Sequence, residues 1–279
     1  MDGLGSKAQA FLSLHSRPSP LLLPNAWDRG SARLFAWLGF EALATTSSGS
    51  AATQGRLDGS LSKDEVLHHA AAIVTATDLP VSADLENGFG DDPEDVAATV
   101  RLALDVGLAG CSIEDFTGDA GAPIYAPVRA EERMAAAAEA AHSGPVRLVL
   151  TGRAENYLHG HPDLDDTIAR LLTYERAGAD VLYAPGITAL DDIGRVVSSV
   201  TRPVNVLARP GGPTVAELAA VGVARISVGG ALCFAALGAV VEAARELQDH
   251  GTFGYFDHAA LGLAAARGAF AAEEPPPST

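Results

Sequence analysis

The chain has 279 residues, 48% of them hydrophobic and 19% charged, which is enough apolar material for one large α/β domain or two small ones and too much for general disorder. Its formal net charge of −16 disfavours a nucleic-acid partner, whose phosphate backbone calls for a basic face. Cys111 and Cys233 have no CxxC spacing and point to a reducing compartment. With no basic flank leading into an apolar run at the N-terminus and no apolar stretch of membrane-spanning length, the sequence reads as cytoplasmic, with no membrane partner.

Residues 1–19 form a lead-in whose Phe11, Leu12 and Leu14 can cover one end of a core. Strand and helix patterns then alternate. The predicted strands are 21–25, 42–47, 80–86, 110–115, 147–153, 181–186, 203–208 and 225–230; helical patterns include 63–77, 93–106, 129–141, 163–177, 189–200, 215–220 and 231–248. Gly39, Gly107, Gly178 and Gly222 read as helix C-caps feeding the next strand. About eight such units predict an α/β fold, a (β/α)8 TIM barrel over residues 1–250, with active residues at the C-terminal strand ends. A doubly wound open sheet is the alternative; it calls for a Gly-rich turn after the first strand, and Asn25-Ala26-Trp27-Asp28 is not one. Residues 251–272 form an additional C-terminal helical segment, more apolar than a free surface helix should be, and 273–279 a disordered tail.

The most informative stretch runs from Pro80 to Gly90, where a short apolar strand ends in Asp84 and Glu86 before a Gly-Phe-Gly turn. Strand periodicity puts both carboxylates on one side, where like charges repel unless a cation sits between them; hard oxygen donors of this kind suit Mg²⁺ or Mn²⁺. The plainer alternative makes Asp84 a turn cap and Glu86 a solvated rim residue. A barrel would gather polar residues from distant strand ends, and they are there: Asn25 and Asp28, Thr45 to Ser48, Glu114 and Asp115, Arg153 and Glu155, and Asn205.

Pro24-Asn25-Ala26-Trp27-Asp28, the Thr-Thr-Ser-Ser-Gly loop with Gly55 and Asp58 after it, the Asp84 to Gly90 run, Ser112-Ile113-Glu114-Asp115 and Thr151-Gly152-Arg153 together resemble the isocitrate lyase and phosphoenolpyruvate mutase superfamily, over about residues 20–250. The resemblance implies a Mg²⁺-dependent (or Mn²⁺-dependent) enzyme that binds a small anionic 2-oxo or 2-hydroxy carboxylate and makes or breaks a bond next to its enolate. It implies Asp84 as the direct metal ligand, with Asp58, Glu86 and Glu114 holding the metal mostly through water. It also implies Thr46 and Ser47 as the carboxylate-binding loop, Arg153 as the group that binds and polarises the substrate, and Asn205 on a distal carboxylate. Relatives exchange terminal helices between neighbours, so it implies a helix-swapped homo-oligomer, a dimer or tetramer.

Two departures stand out. The segment from Phe116 to Pro127 lacks the cysteine, lysine and histidine that superfamily lyases carry in a mobile loop, and Pro185 falls where those lyases have glutamate and the mutase histidine. Tyr125, Tyr183, His159 and His161 are the remaining candidates for a proton donor, Tyr125 and Tyr183 ahead of the histidines. The glycines of Ala208 to Pro213 and Ser227 to Gly230 fit either tight turns or a phosphate site, tight turns being the simpler reading. The leading expectation is a Mg²⁺-dependent carbon–carbon lyase. Phosphonomutase or phosphonopyruvate hydrolase chemistry and a non-catalytic metabolite-binding role are the alternatives.

Overall fold

A computed structural model describes residues 2–271. In chain order the elements are α1 (Asp2–Leu14), β1 (Leu21–Leu23), β2 (Asn25–Ala26), α2 (Arg29–Trp37), β3 (Leu43–Thr45), α3 (Ser47–Thr53) and α4 (Lys63–Val74). There follow β4 (Val81–Asp84), α5 (Pro93–Asp105), β5 (Gly110–Glu114), α6 (Pro127–His142), β6 (Val149–Arg153), α7 (Leu164–Ala177) and β7 (Val181–Tyr183). The chain ends with α8 (Leu190–Ser199), β8 (Val204–Leu207), α9 (Val215–Ala220), β9 (Arg225–Ser227), α10 (Ala231–Arg245), a π-helical turn (Glu246–His250) and α11 (Phe256–Phe270).

Every pairing between these strands is parallel, and β1 pairs with β9 while β2 pairs with β3. Pro24 has no N–H to donate and splits one strand into β1 and β2, yet its carbonyl accepts from Ala44. The two halves therefore act as one stave, closing the sheet into the predicted (β/α)8 barrel. Sequence signals set the helix boundaries. Asp28 and Ser62 form capping boxes with Ser31 and Glu65, Pro93 and Pro127 occupy first-turn positions, and Gly178 ends α7 at φ 109. A Cβ on Gly178 would stand 2.8 Å from that of Ala138, so glycine is needed there for backbone and packing alike.

The lead-in is a helix. Ala8, Phe11 and Leu14 of α1 are buried with Leu21, Val149 and Val181, and a Cβ on Gly110 would meet the Phe11 ring at 2.7 Å. This plug closes the N-terminal end of the barrel and leaves the C-terminal end as the open one. At the other extreme of the chain, α11 packs on α2 with Gly268 against Trp37, while α10 leaves the barrel with only Cys233 buried. The tail predicted for 273–279 lies outside the described residues. No helix among the described residues is long and apolar enough to cross a membrane.

Candidate active site

Strand register builds the site. Glu114 pairs with Arg153, Arg153 with Tyr183, Tyr183 with Asn205 and Asn205 with Arg225, so five polar side chains sit on five consecutive strands as mutual neighbours. Two adjoining cavities open here. One, of about 220 Å³, is lined by Thr46, Ser47, Asp84, Tyr183, Asn205 and Arg225 among others; the second, of about 270 Å³, by Glu86, Glu114, Phe116, Glu155 and His159. Ser47, Asp58, Arg153 and Leu158 border both.

Arg153 is the hub. Its Nη1 lies 3.3 Å from Asp84 Oδ1 and 3.1 Å from Glu114 Oε2, its Nε donates to Glu155, and its guanidinium carbon is 5.4 Å from the Tyr183 ring centre. Burial opposes its charge, but Glu114, Glu155 and Asp84 outweigh that and hold its pKa well above the ordinary value. The acids respond in the opposite sense. Burial, aided by Asp84 and Asp58 and opposed by Arg153, pushes Glu86 up to about 7; burial likewise drives Glu114 well above the carboxylate range despite Arg153.

One expectation fails here. The strand ends at Asp84 rather than Glu86, so strand periodicity does not align the two carboxylates. Glu86 instead sits at φ 49 and Phe89 at φ 59, both in the left-handed region that costs a non-glycine residue about 1–3 kcal/mol. The Glu86 N–H faces Asp84 Oδ1 at 3.3 Å. Arg133, which sequence reasoning passed over, clamps this turn by donating to the carbonyls of Asn87, Gly90 and Asp91. Its fixed fork of donors is why an arginine serves there.

Thr46 and Ser47, expected on a loop, begin α3. Thr46 caps it, its Oγ1 accepting from the Gly49 N–H at 3.4 Å and lying 3.1 Å from Ser48 Oγ. Asp58 comes from the exposed loop after α3, where its Oδ1 accepts from the Gly59 N–H. Asn205 is buried, its Nδ2 donating to Ser227 Oγ and its Oδ1 accepting from Arg225 Nε, both at 2.9 Å. Asn25 has a structural post, accepting from the N–H groups of Val228 and Gly229. Asp115 is another strut, accepting from Tyr174, Arg170 and the Glu155 N–H.

The two tyrosine candidates separate. Tyr183 lines the first cavity, and burial, partly offset by Arg153, raises its hydroxyl to about 12, so it stays protonated and able to donate. Tyr125 borders neither cavity: its ring lies 4.2 Å under the Arg133 guanidinium and its hydroxyl donates to Asp91. Its segment folds back through the Phe116–Ile124 bridge, which sequence spacing does not reveal. Of the histidines, His159 stacks on Phe116 at 3.8 Å with Nε2 3.5 Å from Glu155 Oε2, whereas His161 is exposed. Arg225 was missed altogether. The signal was an arginine and a serine on either side of Ile226, a spacing that turns both to one face.

Among the described residues no three His, Cys, Asp or Glu side chains gather at metal-ligand spacing; Arg153 stands between Asp84 and Glu114. The donor chemistry nevertheless fits a hard divalent cation. Asp58, Asp84, Glu86, Glu114 and Glu155 line the two cavities around one guanidinium, which pairs with Asp84, Glu114 and Glu155, and burial, added to by neighbouring acids, raises Glu86 and Glu114.

Acids and an arginine gathered at the C-terminal strand ends of a barrel occupy the position where barrel enzymes carry their active sites. Residues 11–248 match the phosphoenolpyruvate phosphomutase family, and the chain belongs to that family, within the PEP mutase/isocitrate lyase superfamily. A solved structure from Burkholderia cenocepacia, itself only provisionally described as a lyase/mutase, is 53% identical with a TM-score of 0.94, covering 98% of this chain and 99% of that one. A second from the same organism, provisionally a phosphonomutase, is 36% identical with a TM-score of 0.82, covering 89% and 100%. The 2,3-dimethylmalate lyase structure is 26% identical with a TM-score of 0.80, covering 89% of each chain.

Proposed function

We propose that the protein is a Mg²⁺-dependent carbon–carbon lyase acting on a small 2-oxo or 2-hydroxy carboxylate. The observation that carries this reading is Arg153 held among Asp84, Glu114 and Glu155 where two cavities meet. Asp84 would hold the metal directly, with Asp58, Glu86 and Glu114 acting mostly through water; the bound cation supplies Lewis-acid polarisation of the substrate oxygen.

The chain's own groups do the rest. Thr46 and Ser47 offer hydroxyls to the substrate carboxylate. Arg153 donates to the oxygen on which enolate charge develops, from a side chain only 17% exposed, where such stabilisation counts more than in open solvent. Tyr183, protonated and beside Arg153, is placed to hand a proton to the departing carbanion, the task that the loop without cysteine, lysine or histidine leaves open. The likeness to 2,3-dimethylmalate lyase supports carbon–carbon chemistry. A second reading, P–C bond chemistry, is favoured by the likeness to the phosphonomutase structure and opposed by Pro185, which carries neither proton nor charge.

The chain is further proposed to work in the cytoplasm, where two free thiols persist, and as a homo-oligomer. Leu232, Phe234, Leu237, Val240 and Val241 of α10 are exposed, and a second copy is the occupant that would cover them. The test of the reaction is a turnover screen with Mg²⁺ over oxaloacetate, 2-methylisocitrate, 2,3-dimethylmalate and phosphonopyruvate. Cleavage of a carbon acid supports the lyase, and turnover of phosphonopyruvate alone would replace it with the second reading.

A further inference from the structure

Arg133 stands in the second turn of α6 and is 2% exposed. Its Nη1 donates to the carbonyls of Gly90 and Asp91, each at 2.6 Å, and its Nη2 donates to that of Asn87. Among the described residues these are all of its hydrogen bonds, and none ends on a carboxylate. The Tyr125 ring, 4.2 Å from the guanidinium carbon, covers one face of the fork, and the Tyr125 hydroxyl donates to Asp91 in the same turn. Burying an arginine without a counter-ion is costly, so three carbonyls turned onto one guanidinium mark a backbone conformation that the fold maintains against that cost.

That conformation is a strained one. Glu86 at φ 49 and Phe89 at φ 59 flank Gly88 at φ 85, and non-glycine residues stay in the left-handed region only where their surroundings over-determine them. The near end of the turn is tied to the barrel: the Glu86 carbonyl accepts from the Glu114 N–H at 3.0 Å, and the Glu86 N–H faces Asp84 Oδ1 at 3.3 Å. Thr99 Oγ1 ties the middle by donating to the Gly88 carbonyl at 2.8 Å, and Arg133 ties the far end. Held in this way, Glu86 lines the second cavity with Asp58 and Glu114. Arg133 borders neither cavity, so any effect it has on the site runs through the turn.

Given the reading above that Asp84 holds the metal directly and Glu86 through water, we infer that Arg133 is a positioning residue for the metal site: by gathering the carbonyls of Asn87, Gly90 and Asp91 on one guanidinium it keeps Glu86 in the left-handed turn that delivers its carboxylate to the second cavity. Without that clamp the two left-handed residues relax towards the right-handed region, and the Glu86 carboxylate swings away from Asp58 and Glu114. A fork of fixed donors, rather than a point charge, is what three separate carbonyls require. Groups that orient the ligands of a metal are worth about 10- to 100-fold in its affinity without touching it.

Calorimetric titration of the full chain with Mg²⁺ tests this in wild type, Arg133→Lys, Glu86→Gln and the two changes together. Arg133→Lys keeps the charge and loses the fork, and should weaken Mg²⁺ binding by about 10- to 100-fold. A merely structural arginine would lower the urea midpoint and leave the affinity of the folded protein alone. In the Glu86→Gln background the same change should bring no further loss, because its route to the metal is already cut. Arg133→Lys that binds Mg²⁺ as wild type does, while Glu86→Gln binds it weakly, overturns the inference and leaves the metal reading standing; losses that multiply in the double variant do the same. Wild type that binds no Mg²⁺, or Glu86→Gln that binds it as wild type does, sinks the metal role of Glu86 and the inference together. If Arg133→Lys does not fold, Arg133→Gln, whose amide keeps N–H donors at a shorter reach, takes its place with the same outcomes.

Discussion

Arg153 Nη1 stands 3.1 Å from Glu114 Oε2, on register-paired residues at the ends of β6 and β5. The same guanidinium reaches Asp84 and Glu155, so its fork geometry matters as much as its charge. Arg153→Lys keeps the charge and loses the fork. It should fold normally by circular dichroism yet lower kcat/KM by roughly 100-fold or more, the range for removing one charge-stabilising donor.

Tyr183 and Tyr125, equal candidates in the sequence, stand apart in the structure: Tyr183 lines the first cavity and Tyr125 borders neither. Tyr183→Phe keeps the ring beside Arg153 and should cut kcat by roughly 100- to 10,000-fold with little change in KM, as expected for loss of a general acid. Tyr125→Phe should leave turnover within a few-fold and cost about 1 kcal/mol in urea denaturation, the worth of its hydrogen bond to Asp91.

His15 gives the fold a pH dependence. Burial, with Arg225 beside it, lowers its pKa from 6.5 to about 3. A depressed value means that the unfolded chain takes up the proton first, so the stability carried by neutral His15 is complete above pH 6.5 and drains away as pH falls towards 3. The slope is about 1.4 kcal/mol per pH unit. Denaturation of wild type and His15→Gln between about pH 7 and about pH 5 should show the wild type losing stability more steeply.

Assembly is open to a direct check. Leu237 and Val241 lie one turn apart on α10 and are both exposed. Changing both to glutamate should shift the mass measured by light scattering from a dimer or tetramer to the monomer, while the barrel stays folded.

Much of this molecule is legible in its sequence because β-α alternation, glycine caps and polar strand ends are local signals. Asp84, Glu114, Arg153, Tyr183 and Asn205 come together as a barrel requires. What sequence could not carry depends on distant contacts. Glu86 leaves the strand in a left-handed turn that Arg133 clamps from a helix more than forty residues later. Tyr125 sinks beneath that same arginine, and Arg225 meets His15 across 210 residues of chain. Side-chain direction at a strand end is decided by such partners, and periodicity stops where the strand stops.

Mg²⁺ binding and turnover in Asp84→Ala, measured beside wild type by calorimetry and by the acid screen, probe the metal-centred reading most directly. Wild type should bind Mg²⁺ and turn over one small 2-oxo or 2-hydroxy acid, and the variant should lose both while remaining folded. A folded Asp84→Ala protein that bound Mg²⁺ and cleaved the same acid as well as wild type would contradict it.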